Sequence, residues 1–364
     1  MRSPSPRNGV SSDPRRYDSP SFLPRPESRR PKISGILHAL LHSLNAERFY
    51  FVFTPFLLIE SDIMSLIRIA VVGYGNIGHS AVEAVRAAPD MELAGVVRRS
   101  ASAAAPAELA GVPIVTDVSA LGKIDVALLC CPTRSVPDTA PEYLRRGIHT
   151  VDSFDIHGES LLALRKNLDA IGKEHNSVAV VSAGWDPGSD SLMRTLLLAM
   201  APKGLTYTDF GPGMSMGHSV CAKSKPGVRD ALSMTIPAGS GVHRRMVYVE
   251  LEAGADFSAV EKAIKSDDYF AKDDTHVFAV DSIDTLKDMG HGVRMTRKGV
   301  SGVTQNQLFE FRMTINNPAL TAQVMTSCAR AAAHHLKPGA YTVPEIAPMD
   351  LLPGDRDTLI KTLV

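Results

Sequence analysis

Ile67-Arg68-Ile69-Ala70-Val71-Val72-Gly73-Tyr74-Gly75-Asn76-Ile77-Gly78 is the stretch on which the fold turns. A run of β-branched and small apolar residues reads as a buried strand, and Gly73-x-Gly75-x-x-Gly78 follows it at once. Residues 81–88 then carry a helical pattern that Pro89 stops. A dinucleotide site needs this order of strand, glycine turn and helix. Gly73 makes the tight turn, Gly75 lets backbone approach a pyrophosphate, and Gly78 lets helix and strand pack closely. The helix N-terminus turns free N–H groups and the positive end of its dipole toward the phosphates. The expected cofactor contacts here are Gly73, Tyr74, Gly75, Asn76, Ile77 and Gly78.

The next strand, Leu93-Ala94-Gly95-Val96-Val97, selects the cofactor. About twenty residues past the fingerprint, an NAD site places an acidic residue on the ribose 2′-hydroxyl. This chain has Arg98-Arg99-Ser100 instead. Two guanidiniums and a hydroxyl suit a 2′-phosphate, because arginine offers a planar fork of donors to phosphate oxygens. The expected cofactor is NADP, with Cys131, Pro132, Thr133 and Ser153 at later strand ends completing its site.

Strand candidates at 112–115, 126–131, 149–152 and 177–182 alternate with helices at 135–146 and 159–174. That spacing means a doubly wound parallel sheet. In such a sheet, ligands bind beyond the carboxyl ends of the strands, where Asp155 and Asp186 fall. Past Gly188 the texture changes. One helix (190–201) precedes strand-like segments at 205–210, 231–236, 245–251, 276–281 and 308–315, many alternating polar with apolar, with a helix at 257–265 among them. These predict a second α+β domain with a mixed or antiparallel sheet. An alanine-rich helix at 319–335 should pack back on the first domain, and the tail from Tyr341 returns as extended chain. The expected division is an N-terminal extension (1–63), a Rossmann domain (64–183) joined by 318–364, and a substrate-binding and dimerisation domain (184–317).

The 364 residues balance 39 Lys+Arg against 39 Asp+Glu, with 44% hydrophobic residues. That is enough for two cored domains, and the zero formal charge argues against nucleic acid as a partner. Cys130, Cys131, Cys221 and Cys328 show no metal spacing, so reduced thiols in a cytoplasm are expected. Residues 1–32, rich in Pro, Ser and Arg, read as disordered. Residues 33–44 read as a short helix, and 51–59 is an apolar run too short to span a bilayer. Met64 lies where a compact enzyme would begin.

Val72-Gly-Tyr-Gly-Asn-Ile-Gly, Thr150-Val-Asp-Ser-Phe-Asp155, Ser182-Ala-Gly-Trp-Asp-Pro-Gly188, Phe210-Gly-Pro-Gly-Met-Ser-Met-Gly-His-Ser219 and Ile315-Asn-Asn-Pro318 together resemble the meso-diaminopimelate D-dehydrogenases. The resemblance covers residues 66–364. It implies NADP-dependent oxidative deamination at the D-centre of meso-2,6-diaminopimelate. The products would be L-2-amino-6-oxopimelate, the open form of tetrahydrodipicolinate, and ammonium; the reverse direction would feed lysine synthesis. A homodimer is also implied. Carried over position by position, the resemblance assigns Asp155 and Asp186 to the reacting amine, with Phe210 and Met216 lining that pocket. It assigns Thr235, Arg245, His291 and Asn317 to the distal L-amino acid end. Phe210 stands where the family often has Trp, and the connection from Ile236 to His243 is short. Both imply a wider choice of D-amino acids.

The chemistry needs no metal. A hydride leaves the carbon next to a neutral amine, and water hydrolyses the resulting imine. A substrate with two carboxylates and two ammoniums needs carboxylates for the ammoniums and Arg, His, Asn and hydroxyls for the carboxylates. Each assignment has a plainer rival. Asp186 before Pro187 also fits a turn, Asn317 before Pro318 a helix cap, and His291 between glycines a loop. Either Arg244 or Arg245 must point inward in an alternating strand. A dihydrodipicolinate-reductase-like enzyme and a non-catalytic NADPH-binding sensor stay open. The first lacks its His-His-x-x-Lys run here, and the second would not need carboxylates and arginine converging at strand ends.

Overall fold

The computed structural model describes residues 65–100, 106–288 and 290–364; the expectations for residues 1–63 lie outside them. The chain begins β1 (Ile67–Val72), α1 (Asn76–Ala87), β2 (Met91–Val97), β3 (Ile114–Val115), β4 (Val126–Leu129), α2 (Val136–Leu144), β5 (His149–Asp152), α3 (Glu159–Glu174) and β6 (Val178–Val181). It continues α4 (Ser189–Met200), β7 (Lys203–Phe210), β8 (Gly213–Met214), α5 (Met216–Lys223), β9 (Val228–Gly239), β10 (Val242–Leu251), α6 (Phe257–Lys265) and β11 (Asp274–Ala279). It ends β12 (Gly290–Ser301), β13 (Thr304–Asn316), α7 (Asn317–His334), β14 (Gly339–Thr342) and α8 (Arg356–Leu363).

A parallel sheet runs β14-β6-β5-β4-β1-β2-β3. β4 and β6 are buried on both faces and apolar throughout, the composition a covered parallel strand requires. Ala81, Val82 and Val85 of α1 join Ala322, Met325 and Cys328 of α7 in the core on one face. Val136 and Leu144 of α2 join Leu164 and Leu168 of α3 in the core on the other. The strand order reverses between β1 and β4, so the crevice for a dinucleotide opens there. β14, from the tail, extends the sheet beside β6.

The rest of the chain forms two sheets where one was expected. β11-β10-β9-β8 is mixed, with β10 and β11 parallel, and β13-β12-β7 is antiparallel. β8, α5, β12 and α8 were not anticipated, and β4 stops at Leu129, short of Cys131. The expected helix at 135–146 is confined to α2, with Pro137 in its first turn, where a missing N–H costs nothing. Among the described residues, no helix is long and apolar enough to cross a membrane.

Candidate active site

The glycine turn sits at the carboxyl end of β1. Gly73 has φ +93, a conformation open to glycine. A Cβ on Gly78 would lie 2.2 Å from the Gly73 carbonyl oxygen, while one on Gly75 would meet nothing within 4 Å. So Gly78 holds helix against strand and Gly75 leaves room above the turn. α1 starts at Asn76 with no side-chain cap and no acid in its first turn, leaving its N–H groups to a ligand. Val72 pairs with Val97 on one side and Leu129 on the other. Arg98 and Arg99 therefore emerge on one flank of the turn, and Cys131, Pro132 and Thr133 on the other. The Nη1 of Arg98 is buried and has no hydrogen-bond partner among the described residues. Burial pushes both the Cys130 and Cys131 thiols up, away from thiolate chemistry.

Beyond this edge lies a cavity of about 610 Å³. Asp155, Asp186, Phe210, Met216, Thr235, Arg245, His291 and Asn317 all line it, as do Ile77 and Ser153. The other expected cofactor residues lie outside its lining. Asp155, on the loop after β5, is anchored by its own N–H to Thr133 Oγ1 (3.3 Å), and its Oδ1 accepts from the Tyr269 hydroxyl (3.4 Å). Asp186 follows β6, ahead of α4. Burial pushes its carboxyl well above the usual carboxylate range; Asp190 and Asp155 push the same way and Arg194 opposes.

Also in the lining, β9 and β10 place Thr235 directly opposite Arg245. Arg245 points inward, donating to Asp273 Oδ2 at 2.6 Å through Nε and to Thr235 Oγ1 through Nη1. Arg244 points out and pairs with Asp274 at 2.7 Å. His291 is no loop residue: it lies in β12, 5% exposed, and its Nδ1 accepts from the Gly292 N–H (2.7 Å). Burial lowers His291 and His243, and His218 to about 4, so all three are uncharged near neutrality.

Asn317 is not the helix cap. That role belongs to Asn316, whose Oδ1 accepts from the Ala319 N–H (3.2 Å). Asn317 is buried, and its Oδ1 accepts from Trp185 Nε1 (3.1 Å). The Trp185 ring meets Phe210 edge-on at 6.1 Å, which seats Phe210 in the cavity wall. The Nε2 of His243 accepts from the Phe210 N–H (2.8 Å). β9 and β10 are joined by Ser240 and Gly241, both left-handed, a turn that matches the twist of paired strands.

Several lining residues were not singled out from the sequence: Arg134, His218, His243, Tyr269, Lys272 and Asp273. His218 stands inside a motif already quoted and was readable there, and Arg134 directly follows Thr133. Tyr269, Lys272 and Asp273 lie between α6 and β11, where no periodicity or motif marks them.

Residues 67–151 match the model of an oxidoreductase family with an NAD-binding Rossmann fold, and 184–242 that of the diaminopimelic acid dehydrogenase C-terminal domain. The chain is 60% identical over 301 residues to a meso-diaminopimelate D-dehydrogenase of Bacteroides fragilis, covering 83% of this chain and all of that one. A Corynebacterium glutamicum DAP dehydrogenase in complex with DAP superposes with a TM-score of 0.75 at 31% identity, covering 83% and 100% of the two chains. An engineered D-amino acid dehydrogenase bound to NADP+ superposes at 0.73 and 30% identity, covering 82% and 100%. Fold and site define an oxidoreductase built on a nicotinamide-dinucleotide-binding domain. The chain belongs to the meso-diaminopimelate D-dehydrogenase family, which disposes of the reductase and sensor alternatives.

Proposed function

We propose that the protein catalyses the reversible NADP-dependent oxidative deamination of meso-2,6-diaminopimelate at its D-centre, giving L-2-amino-6-oxopimelate and ammonium for lysine synthesis in the cytoplasm. The observation that carries this reading is that a single cavity is lined by the carboxyls of Asp155 and Asp186, by Ile77 and Ser153, and by the paired Arg245 and Thr235. A substrate with an amino acid group at each end needs both kinds of charge in one cavity. In support of NADP, Arg98 and Arg99 follow β2 beside the glycine turn, and Arg98 Nη1 has no hydrogen-bond partner among the described residues. The bound dinucleotide supplies the hydride acceptor.

The protein's part is to hold and protonate. Asp155 attracts the reacting ammonium, and Asp186 exchanges a proton with its nitrogen and with the water that adds to the imine. Arg245 holds the remote carboxylate, aided by Thr235, His291 and Asn317. Phe210, Met216 and Trp185 keep bulk water from the reacting carbon. We assign residues 64–183 and 318–364 to nucleotide binding, and 184–317 to substrate binding and the pairing of two copies. A broader D-amino acid dehydrogenase is favoured by one feature, the two-residue turn between β9 and β10 beside Phe210.

Removing an interaction used in the transition state lowers turnover, whereas removing uniform binding raises KM. Asp186→Asn should mainly cut kcat on diaminopimelate. Arg245→Ala should raise KM by the equivalent of about 1.5–3 kcal/mol, the worth of a charged hydrogen bond. D-alanine offers Arg245 nothing to hold, so its slow oxidation should survive Arg245→Ala and fail with Asp186→Asn. Equal damage by Arg245→Ala to both substrates would contradict the two-ended site.

A further inference from the structure

Behind Asp186 lies a second carboxyl that the two-ended site leaves unused. Asp190, in the first turn of α4, is 1% exposed, rare for an aspartate without partners. Its N–H donates to the Trp185 carbonyl (3.0 Å), tying it to the residue before Asp186. Its Oδ1 accepts from Ser191 Oγ (3.1 Å) and its Oδ2 from Arg194 Nη2 (3.3 Å). Arg194 in turn donates through Nη1 to Thr208 Oγ1 (2.7 Å) on β7, two residues before Phe210. Tied to Trp185 by its own N–H, the buried Asp190 carboxyl raises the proton affinity of Asp186, four residues ahead of it in the chain.

Two carboxyls withdrawn from water beside a single guanidinium keep one proton between them, because full ionisation would oppose like charges at low dielectric. Arg194 holds Asp190, so the anion rests there and the proton on Asp186. Asp155, from the loop after β5, adds a further negative charge in the direction that keeps Asp186 protonated. The cavity's histidines from α5, β10 and β12 are neutralised by burial. An acid in a helix first turn often just complements the dipole. That accounts for where Asp190 sits, but not for its burial between Asp186 and Arg194.

Resting on the reading of Asp186 as the group that exchanges a proton at the amine, we propose that Asp190 and Arg194 are positioning residues that orient the Asp186 carboxyl and place the shared proton on it. In the reductive direction that proton passes from the Asp186 carboxyl to the substrate nitrogen and leaves a carboxylate. In the oxidative direction a proton from the ammonium returns to it.

The test is to titrate the Asp186 carboxyl by ¹³C NMR of the full chain labelled at aspartate, with its signal identified as the one lost in Asp186→Asn. Alongside it, the pH profile of kcat is recorded, and its Asp186 limb is the one absent in that variant. Asp190→Asn removes the anionic neighbour, so the midpoint should fall by about 1–3 pH units. Arg194→Met removes the cation, so the midpoint should rise, and Arg194→Lys should bring it back toward the parent. The kinetic limb should move in the same two directions. Loosened packing alone would not drive the two variants in opposite senses. Midpoints that stay put or move together overturn the proposal; if Arg194→Met fails to fold, an unmoved midpoint in Asp190→Asn does so alone. Opposed midpoints with an unmoved kinetic limb would uphold the couple and refute the role of Asp186 in turnover.

Discussion

On the proposed reading, Arg98 and Arg99 carry the choice between cofactors, and they can be removed without touching the glycine turn. Changing both to Ala should raise KM for NADP by the equivalent of about 1.5–3 kcal/mol per lost charged contact and leave NAD use nearly unchanged. Equal effects in steady-state kinetics with the two cofactors would contradict the assignment. Asp152 gives a second test at this scale. It is 0% exposed at the end of β5, and burial pushes its carboxyl up to about 6. Its Oδ1 accepts from the Phe154 and Ser182 N–H groups (2.9 and 3.1 Å), while its Oδ2 is buried without a partner among the described residues. A carboxyl raised in the folded state binds its proton there first, so its favourable share of stability is complete below about pH 4, its unfolded value, and lost as pH rises through about 6. Asp152→Asn keeps the accepting oxygen and removes the ionisation. Relative to the parent it should therefore gain about 1–3 kcal/mol on going from pH 4 to pH 8, read by urea unfolding at both. A pH-independent difference would contradict this. What was legible here followed simple rules. Strand alternation required one of Arg244 and Arg245 to face inward, and the site uses Arg245. Tyr269 and Asp273 obey no such rule; only the folded chain brings them to Asp155 and Arg245.

At the scale of elements, the glycine turn was the clearest feature, because each of its glycines answers to a separate steric need. Gly78→Ala would set a methyl 2.2 Å from the Gly73 carbonyl oxygen, a backbone atom that cannot swing away. It should cost about 1–3 kcal/mol in urea unfolding and weaken cofactor binding. A variant as stable as the parent would contradict the close approach of α1 and β1. β12 was the main element missed. Gly-His-Gly-Val-Arg-Met-Thr-Arg-Lys-Gly-Val-Ser reads as loop by composition, yet it is the central strand of β13-β12-β7. Its glycines serve neighbouring strands: a Cβ on Gly292 would lie 2.5 Å from the Met313 carbonyl oxygen. Local propensity gives way to pairing on both edges. The rival reading of His291 as a loop residue fails for the same reason.

Over the whole molecule, the parallel sheet was readable because each strand–helix unit carries its own period. The split of the second half into two sheets was not, because strand partners there are far apart in sequence, as with β7 and β12. The cavity forms where these sheets meet the carboxyl edge of the first, so its outline needed the fold, though its eight expected side chains were named beforehand. The proposed reading makes one stereochemical demand: a D-amino acid group at Asp155 and Asp186, an L-amino acid group at Arg245. The most direct measurement is absorbance of the reduced nicotinamide when the full chain meets NADP with meso-diaminopimelate or with its L,L isomer. Reduction with the meso form and none with the L,L form is the expected result. No reduction with the meso form, or equal rates with both isomers, would contradict it.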